Sequence, residues 1–314
     1  MTCQLTAIIA KAYRKCRSQP LTCGARHQFL QFLLMMFVLT GCNHLFYFPD
    51  RDMRLTPDQI GHTYEEFTVV TADDIKLTAW LLRADETIMK PWGTVLHFHG
   101  NAENMSTHMA FSHWLTRHGF NVVTFDYRGY GQSEGTPDRE GLVRDGEAMI
   151  NALRARDDLR EQDLFIFAQS LGGAVAIPAL AEAGEQRIRA LVIESSFASY
   201  RTVARRKLGD IWLTWLFQYP LSFLVSDNWS PEDHIERLSL PMLFVHGDED
   251  PVVDIESGRD LVNVAGPRAK EFWELPQKGH TPAFIREQSP LRPKLVTFLC
   301  THSSHPERCK KLMR

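Results

Sequence analysis

From residue 65 onward the apolar positions change period. Residues 65–71 and 75–83 are β-rich and flank Ala72-Asp73-Asp74, which predicts a hairpin at the edge of a sheet. Beyond them, short apolar runs recur at 94–99, 121–126, 164–167, 190–193 and 242–245, with a further strand candidate at 271–275. The intervening segments 104–117, 140–156 and 171–183 have helical spacing. Alternating strands and helices predict an α/β chain with a mostly parallel sheet covered on both faces. Between about 195 and 240 the alternation lapses into an insert too short for a separate domain. It contains Ile211-Trp212-Leu213-Thr214-Trp215-Leu216-Phe217, then Pro220. Two readings stand for this insert: core packing, the ordinary fate of such a stretch, or a small helical lid offering an apolar wall to an acyl group.

Ahead of residue 65 the pattern is different. The apolar run 29–40 has the length of a signal-peptide core and is too short for an ordinary membrane span. It stops at Leu39-Thr40-Gly41-Cys42, four residues that resemble the lipobox of bacterial lipoproteins. The resemblance implies a signal peptide over 1–41 and a mature chain starting at a lipidated Cys42, exported and held at a membrane by its acyl groups, facing the periplasm. An uncleaved signal anchor is the alternative. Residues 42–64, interrupted by Pro49 and Pro57, read as a tether, 65–300 as the folded domain, and 301–314 as a C-terminal tail.

With 314 residues, 44% of them hydrophobic and 23% charged, the chain has ordinary globular composition. The net charge of −3 hides an asymmetry. The first 41 residues carry Lys11, Arg14, Lys15, Arg17 and Arg26 and no acid, so removing those five positive charges leaves −8 for the rest. That balance argues against a nucleic-acid partner, whose binding rests on clustered positive charge. Of the six cysteines, only Cys300 and Cys309 lie beyond Cys42. An exported pair so close in sequence can form a small disulfide, although spacing alone does not establish the geometry.

The stretch Phe165-Ile166-Phe167-Ala168-Gln169-Ser170-Leu171-Gly172-Gly173 places a serine between a strand and a helix, where its Oγ is exposed at the carboxyl edge of the sheet. An esterase-type serine needs a base, an acid to orient the base, and two N–H donors for the developing oxyanion. After the serine in chain order, Asp248, Glu249 and Asp250 follow a strand candidate, and Gly279-His280 follows the next. Leu171 can donate from just after the serine, and the loop 99–104 can supply a second donor, Asn101 above all.

The motifs HGNAEN (99–104), DYRGYGQSEG (126–135), QSLGG (169–173), HGDEDPVV (246–253) and GH (279–280) resemble the α/β-hydrolase superfamily. More narrowly they are similar to its short-lid serine hydrolases, related to membrane-associated eukaryotic hydrolases and prolyl-aminopeptidase-like proteins. The resemblance implies Ser170 as nucleophile, Asp250 (with Asp248 second) as acid, His280 as base, and Asn101 and Leu171 as oxyanion donors. It implies no cofactor and a small-molecule or lipid acyl substrate. Gly131-Gln132-Ser133-Glu134-Gly135 matches G-x-S-x-G literally, whereas Ala168 stands in place of the first glycine at Ser170. Ser133, however, is followed by a loop, while Ser170 enters a helix at once. His97 and His99 form an H-x-H without a third ligand in a recognised spacing, so no metal site is expected. Arg128 and Tyr130 are expected to brace a loop. A peptidase or amidase on the same triad, and a binding module without catalysis, are the alternatives to an esterase.

Overall fold

The computed structural model describes residues 47–85, 88, 90–211, 214–266 and 270–309, the side chains of 308 and 309 excepted. The signal peptide, Cys42 and the first residues of the expected tether therefore lie outside the described residues.

The described chain first forms a two-residue strand, β1 (Phe48–Pro49), and then the hairpin β2 (Tyr64–Val70) and β3 (Lys76–Leu82). Its tight turn is held by the Thr71 hydroxyl, which donates to Asp73 Oδ1 at 2.7 Å. Strand β4 (Gly93–Phe98) follows, then the two-residue β5 (Ala102–Glu103), the short helix α1 (Met105–His108) and β6 (Phe120–Phe125). Helix α2 (Arg139–Ala155) leads to β7 (Asp163–Gln169), which passes directly into α3 (Leu171–Ala183) and then β8 (Ile188–Glu194). The insert holds α4 (Tyr200–Asp210), α5 (Gln218–Ser222) and α6 (Glu232–Ile235). Strand β9 (Met242–Gly247), α7 (Ile255–Val264), β10 (Lys270–Leu275), α8 (Leu291–Thr301) and α9 (Pro306–Cys309) complete the chain.

Eight strands form one sheet in the order β10-β9-β8-β7-β4-β6-β3-β2. All neighbours are parallel except the two pairs made by β3. The central strands read as unbroken apolar runs because both faces are buried. On one face Leu96, Phe98, Ile166 and Ala168 pack under α2 and α3; on the other Val95, Phe165, Phe167 and Val245 pack with Trp114 and α8. The mostly parallel, doubly covered sheet predicted from the alternation is observed, and with it the α/β-hydrolase architecture that the motif resemblance implies.

Four expectations change. The helix expected over 104–117 breaks after α1 into 3-10 turns, Met109–Phe111 and His113–His118, between which Ser112 turns its hydroxyl inward to His97 Nδ1, 3.0 Å away. The described part of the tether is seated instead of loose. Tyr47 is buried, β1 pairs with β5, and the Asp50 carbonyl accepts from both Asn104 Nδ2 and the Gly131 N–H. Nor does the fold stop at 300: Ser304 donates its N–H and its hydroxyl to Asp163 Oδ2 at the start of β7. Cys300 is buried and disulfide-bonded, and the Cys309 side chain lies outside the described residues. Finally, core packing describes only the ends of the insert, where Phe197, Tyr200, Ile235 and Leu238 are buried; in its middle Trp215, Leu216, Phe217, Tyr219 and Phe223 are exposed.

Candidate active site

The turn from β7 to α3 sets the site. Ser170 has φ 53° and ψ −119°, a backbone conformation that side chains with a Cβ rarely adopt. It is imposed because a strand ends and a helix begins with no loop between them. Close packing makes the turn possible: a Cβ on Gly172 would lie 2.1 Å from the Phe98 carbonyl oxygen, and one on Gly173 2.4 Å from Ser196 Oγ. Ala168 has no such demand. It is an interior strand residue paired with Phe98 on one side and Ile193 on the other, so the departure from glycine costs no backbone strain. Leu171 begins α3, and the first N–H groups of a helix have no intrahelical acceptor.

Ser133 is built into the fold. It is fully buried, its hydroxyl donates to the Asp126 carbonyl at 2.7 Å, and it accepts the Thr78 N–H at 2.9 Å.

Asp250 and His280 come together from the loops after β9 and β10. His280 Nδ1 is 2.8 Å from Asp250 Oδ2, and Asp250 Oδ1 accepts the N–H groups of Val252 and Val253 at 2.8 and 3.0 Å. Burial raises the Asp250 pKa, but the His280 contact and these amides outweigh it and hold the carboxyl below its ordinary value. Asp248 and Glu249 are exposed and, among the described residues, hydrogen-bond to Leu275 and Lys278. The His280 loop is pinned beside the Ser170 strand, the Thr281 N–H donating to Ser195 Oγ at 3.1 Å. Among the described residues Ser170 Oγ is not hydrogen-bonded to His280; in ligand-free hydrolases this contact is often long and tightens with substrate.

The loop carrying Asn101 is clamped from two sides, since Asn101 Oδ1 accepts from the Phe48 N–H at 3.1 Å and the Tyr130 hydroxyl at 2.9 Å. Tyr130 thus braces the loop as expected, and Arg128 braces its own by bonding both Asp145 and Asp73. His97 and His99 serve separate hydrogen bonds, His97 to Gln169 and Ser112 and His99 to the Gly100 carbonyl. Beside His280 opens a cleft of about 800 Å³ walled by Phe111, Leu275, Pro282, Ile285 and Leu291.

One residue of the site was passed over in the sequence. Glu194, the last residue of β8, is fully buried. Its Oε1 accepts the Ala283 N–H and its Oε2 accepts Gln169 Nε2, each at 2.7 Å. Gln169 Oε1 in turn lies 2.9 Å from His97 Nε2, so a polar chain runs Ser112, His97, Gln169, Glu194, Ala283 beneath the nucleophile and up to the His280 loop. Burial drives the Glu194 pKa up to about 7 and that of His97 down to about 3. The available signal was an acid closing the apolar run Ala190-Leu191-Val192-Ile193, a place where a charge needs a reason.

The chain matches the family described as serine aminopeptidase, S33, over residues 89–231. It is 33% identical over 284 residues to the uncharacterized protein YfhR of Escherichia coli, a match covering 86% of this chain and 94% of that one. It is 30% identical over 241 residues to WAV2 of Arabidopsis thaliana, an alpha/beta hydrolase domain-containing protein, covering 74% of this chain and 77% of that one. Among solved structures, the Pyrococcus furiosus esterase Pf2001 superposes with a TM-score of 0.64 at 22% identity, over 82% of this chain and 98% of that one.

Proposed function

The chain belongs to the α/β-hydrolase domain proteins, and we propose that it is a serine hydrolase that cleaves acyl esters through a covalent acyl-enzyme on Ser170. The observation that carries the reading is the strained Ser170 turn at the edge of the sheet that also presents the Asp250–His280 pair. In this mechanism Ser170 Oγ attacks the acyl carbonyl carbon while His280 Nε2 takes its proton. Asp250 holds Nδ1–H and steadies the imidazolium. The tetrahedral oxyanion accepts from the N–H groups of Leu171 and Asn101, each worth about 2.7–4 kcal/mol of barrier in sites of this kind. His280 then protonates the leaving oxygen, and water repeats the sequence to free the acid and the serine. No cofactor takes part. The apolar wall of the cleft beside His280, made by Phe111, Leu275, Ile285 and Leu291 among polar neighbours such as Gln277, Lys278 and Arg286, would take a hydrophobic acyl or alcohol group. In the same proposal the enzyme works outside the cytoplasm, held at a membrane by acyl groups on Cys42.

The matched family's description favours a second reading, an aminopeptidase on the same triad. Fluorophosphonate labelling and turnover of short p-nitrophenyl esters test the first reading against proline p-nitroanilide for the second. We expect labelling and ester turnover that vanish in Ser170→Ala. Undiminished labelling of that variant overturns the nucleophile, and faster turnover of the anilide than of any ester overturns the substrate class.

A further inference from the structure

Residues 211–226 contain no Asp, Glu, Lys or Arg. Within them Leu216 is 73% exposed, Phe223 68%, Tyr219 60%, and Trp215 and Phe217 57% each. Among the described residues the large apolar side chains exposed elsewhere, Phe48, Val70, Val252 and Ile285, are scattered along the chain. A concentration of this kind marks a surface that is covered in use.

Its chemistry points to one cover. Trp and Tyr are the side chains that settle at the boundary between headgroups and acyl chains. The cations stand beside them. On α4, the Arg205 guanidinium lies 5.3 Å from the Tyr219 ring centre and the Arg201 guanidinium 5.5 Å from that of Phe223. Within residues 200–226 Arg201, Arg205, Arg206 and Lys207 stand with Asp210, and from outside the segment Asp227 faces Arg201 while Asp254 and Asp260 pair with Arg206. Arg206 and Lys207 are committed inward, to Ser257, Asp260 and the Pro251 carbonyl. Arg201 keeps only a long contact to Asp227, 3.9 Å, and Arg205 has no ion-pair partner among the described residues. The two are available to phosphate groups. No described helix is long and apolar enough to cross a bilayer, so this face can lie on one but not through it.

We propose that this uncharged aromatic face seats in the surface of an anionic bilayer, with Arg201 and Arg205 meeting the lipid phosphates. Because Arg206 and Lys207 fasten α4 to the segment following Asp250, the docked face brings the His280–Asp250 pair to the lipid surface. The inference concerns binding alone and does not depend on the catalytic reading.

The test uses the full chain reconstituted into vesicles of phosphatidylethanolamine with about a quarter phosphatidylglycerol, with lipids brominated on the acyl chain as quenchers of tryptophan fluorescence. The segment before residue 47 contains no tryptophan, so the leader gives no signal; Trp80 and Trp114 are buried, and the partly exposed Trp92, Trp229 and Trp273 set a background common to parent and variants. We expect quenching in the parent that falls at least about threefold in Leu216→Asp/Phe223→Asp, both fully tolerable at exposed positions. Arg201→Gln/Arg205→Gln should weaken it at least about twofold in the anionic vesicles and leave it unchanged in pure phosphatidylcholine. Unchanged far-UV circular dichroism and thermal unfolding in detergent certify that the variants are folded, while fluorophosphonate labelling reports on the hydrolase reading separately. A parent that is not quenched, or a Leu216→Asp/Phe223→Asp variant quenched equally, overturns the proposal. An unquenched parent whose self-association by sedimentation is lost in that variant assigns the face to a second copy of the chain instead.

Discussion

Glu194 offers the sharpest test of how the site is held. In the fold this carboxyl is fully buried and its pKa stands at about 7, above the ordinary value of 4.5, because burial disfavours the charge. Between those two values the folded chain holds a proton that the unfolded chain has released. Stability therefore falls as pH rises through that window, by about 3 kcal/mol at 1.36 kcal/mol per pKa unit. Glu194→Gln is the uncharged isostere of the protonated form. Gln169 can serve it by exchanging its amide ends, provided neutral His97 moves its proton from Nε2 to Nδ1 and donates to Ser112. The variant should thus match the parent within about 1 kcal/mol at pH 5 and exceed it by about 3 kcal/mol at pH 8, keeping its Ala283 contact and its activity. Glu194→Ala, by contrast, strands the buried donors of Gln169 and Ala283 and should lose about 2–6 kcal/mol at pH 5, a deficit about 3 kcal/mol smaller at pH 8 because the variant no longer carries the buried charge, with a lower kcat as the His280 loop loosens. Urea unfolding of the three proteins at pH 5 and pH 8 measures this. Parallel pH slopes for parent and Glu194→Gln would refute the reasoning.

Two further substitutions separate chemistry from support. Asp250→Asn keeps the shape but removes the charge that steadies the imidazolium, and should lower kcat for esters by about 10⁴-fold with little change in KM; a loss under about tenfold would assign the acid elsewhere. Ser133→Ala leaves the Thr78 N–H and the Asp126 carbonyl without their buried partner, and should cost about 2 kcal/mol, roughly 4–8 °C in Tm, while fluorophosphonate labelling persists. Loss of labelling in a folded Ser133→Ala protein would speak for the literal G-x-S-x-G match.

What could be read from the sequence was what is local or periodic. The central strands announced themselves because burial on both faces leaves no polar position within a run such as 164–167. Ser170, Asp250 and His280 were legible because each sits where an apolar run ends. Non-local facts were not legible. Glu194 matters only because the β7–β8 register sets it opposite Gln169, and no stretch of sequence encodes that pairing. The helix over 104–117 failed because Ser112 answers to His97, a partner across the sheet face. The apolar run at 211–217 has the same letters whether it is buried or bare, and only the fold distinguishes the two. Helices α7 and α8 were not among the expected elements.

The strap formed by Tyr47 to Asp50 bears on where this molecule can be cut. Phe48 supplies one of the two clamps on Asn101, and Asp50 accepts from Asn104 and Gly131, so the first described residues are part of the loop that faces the nucleophile. At the other end, Ser304 caps the start of the nucleophile's own strand. A fragment trimmed to the family match at 89–231 would forfeit the strap, the hairpin, Asp250 and His280 together. A piece that keeps these contacts begins no later than Tyr47 and ends no earlier than Ser304. A single cut just after Tyr47 would release the Phe48 clamp on Asn101 with every catalytic side chain still present.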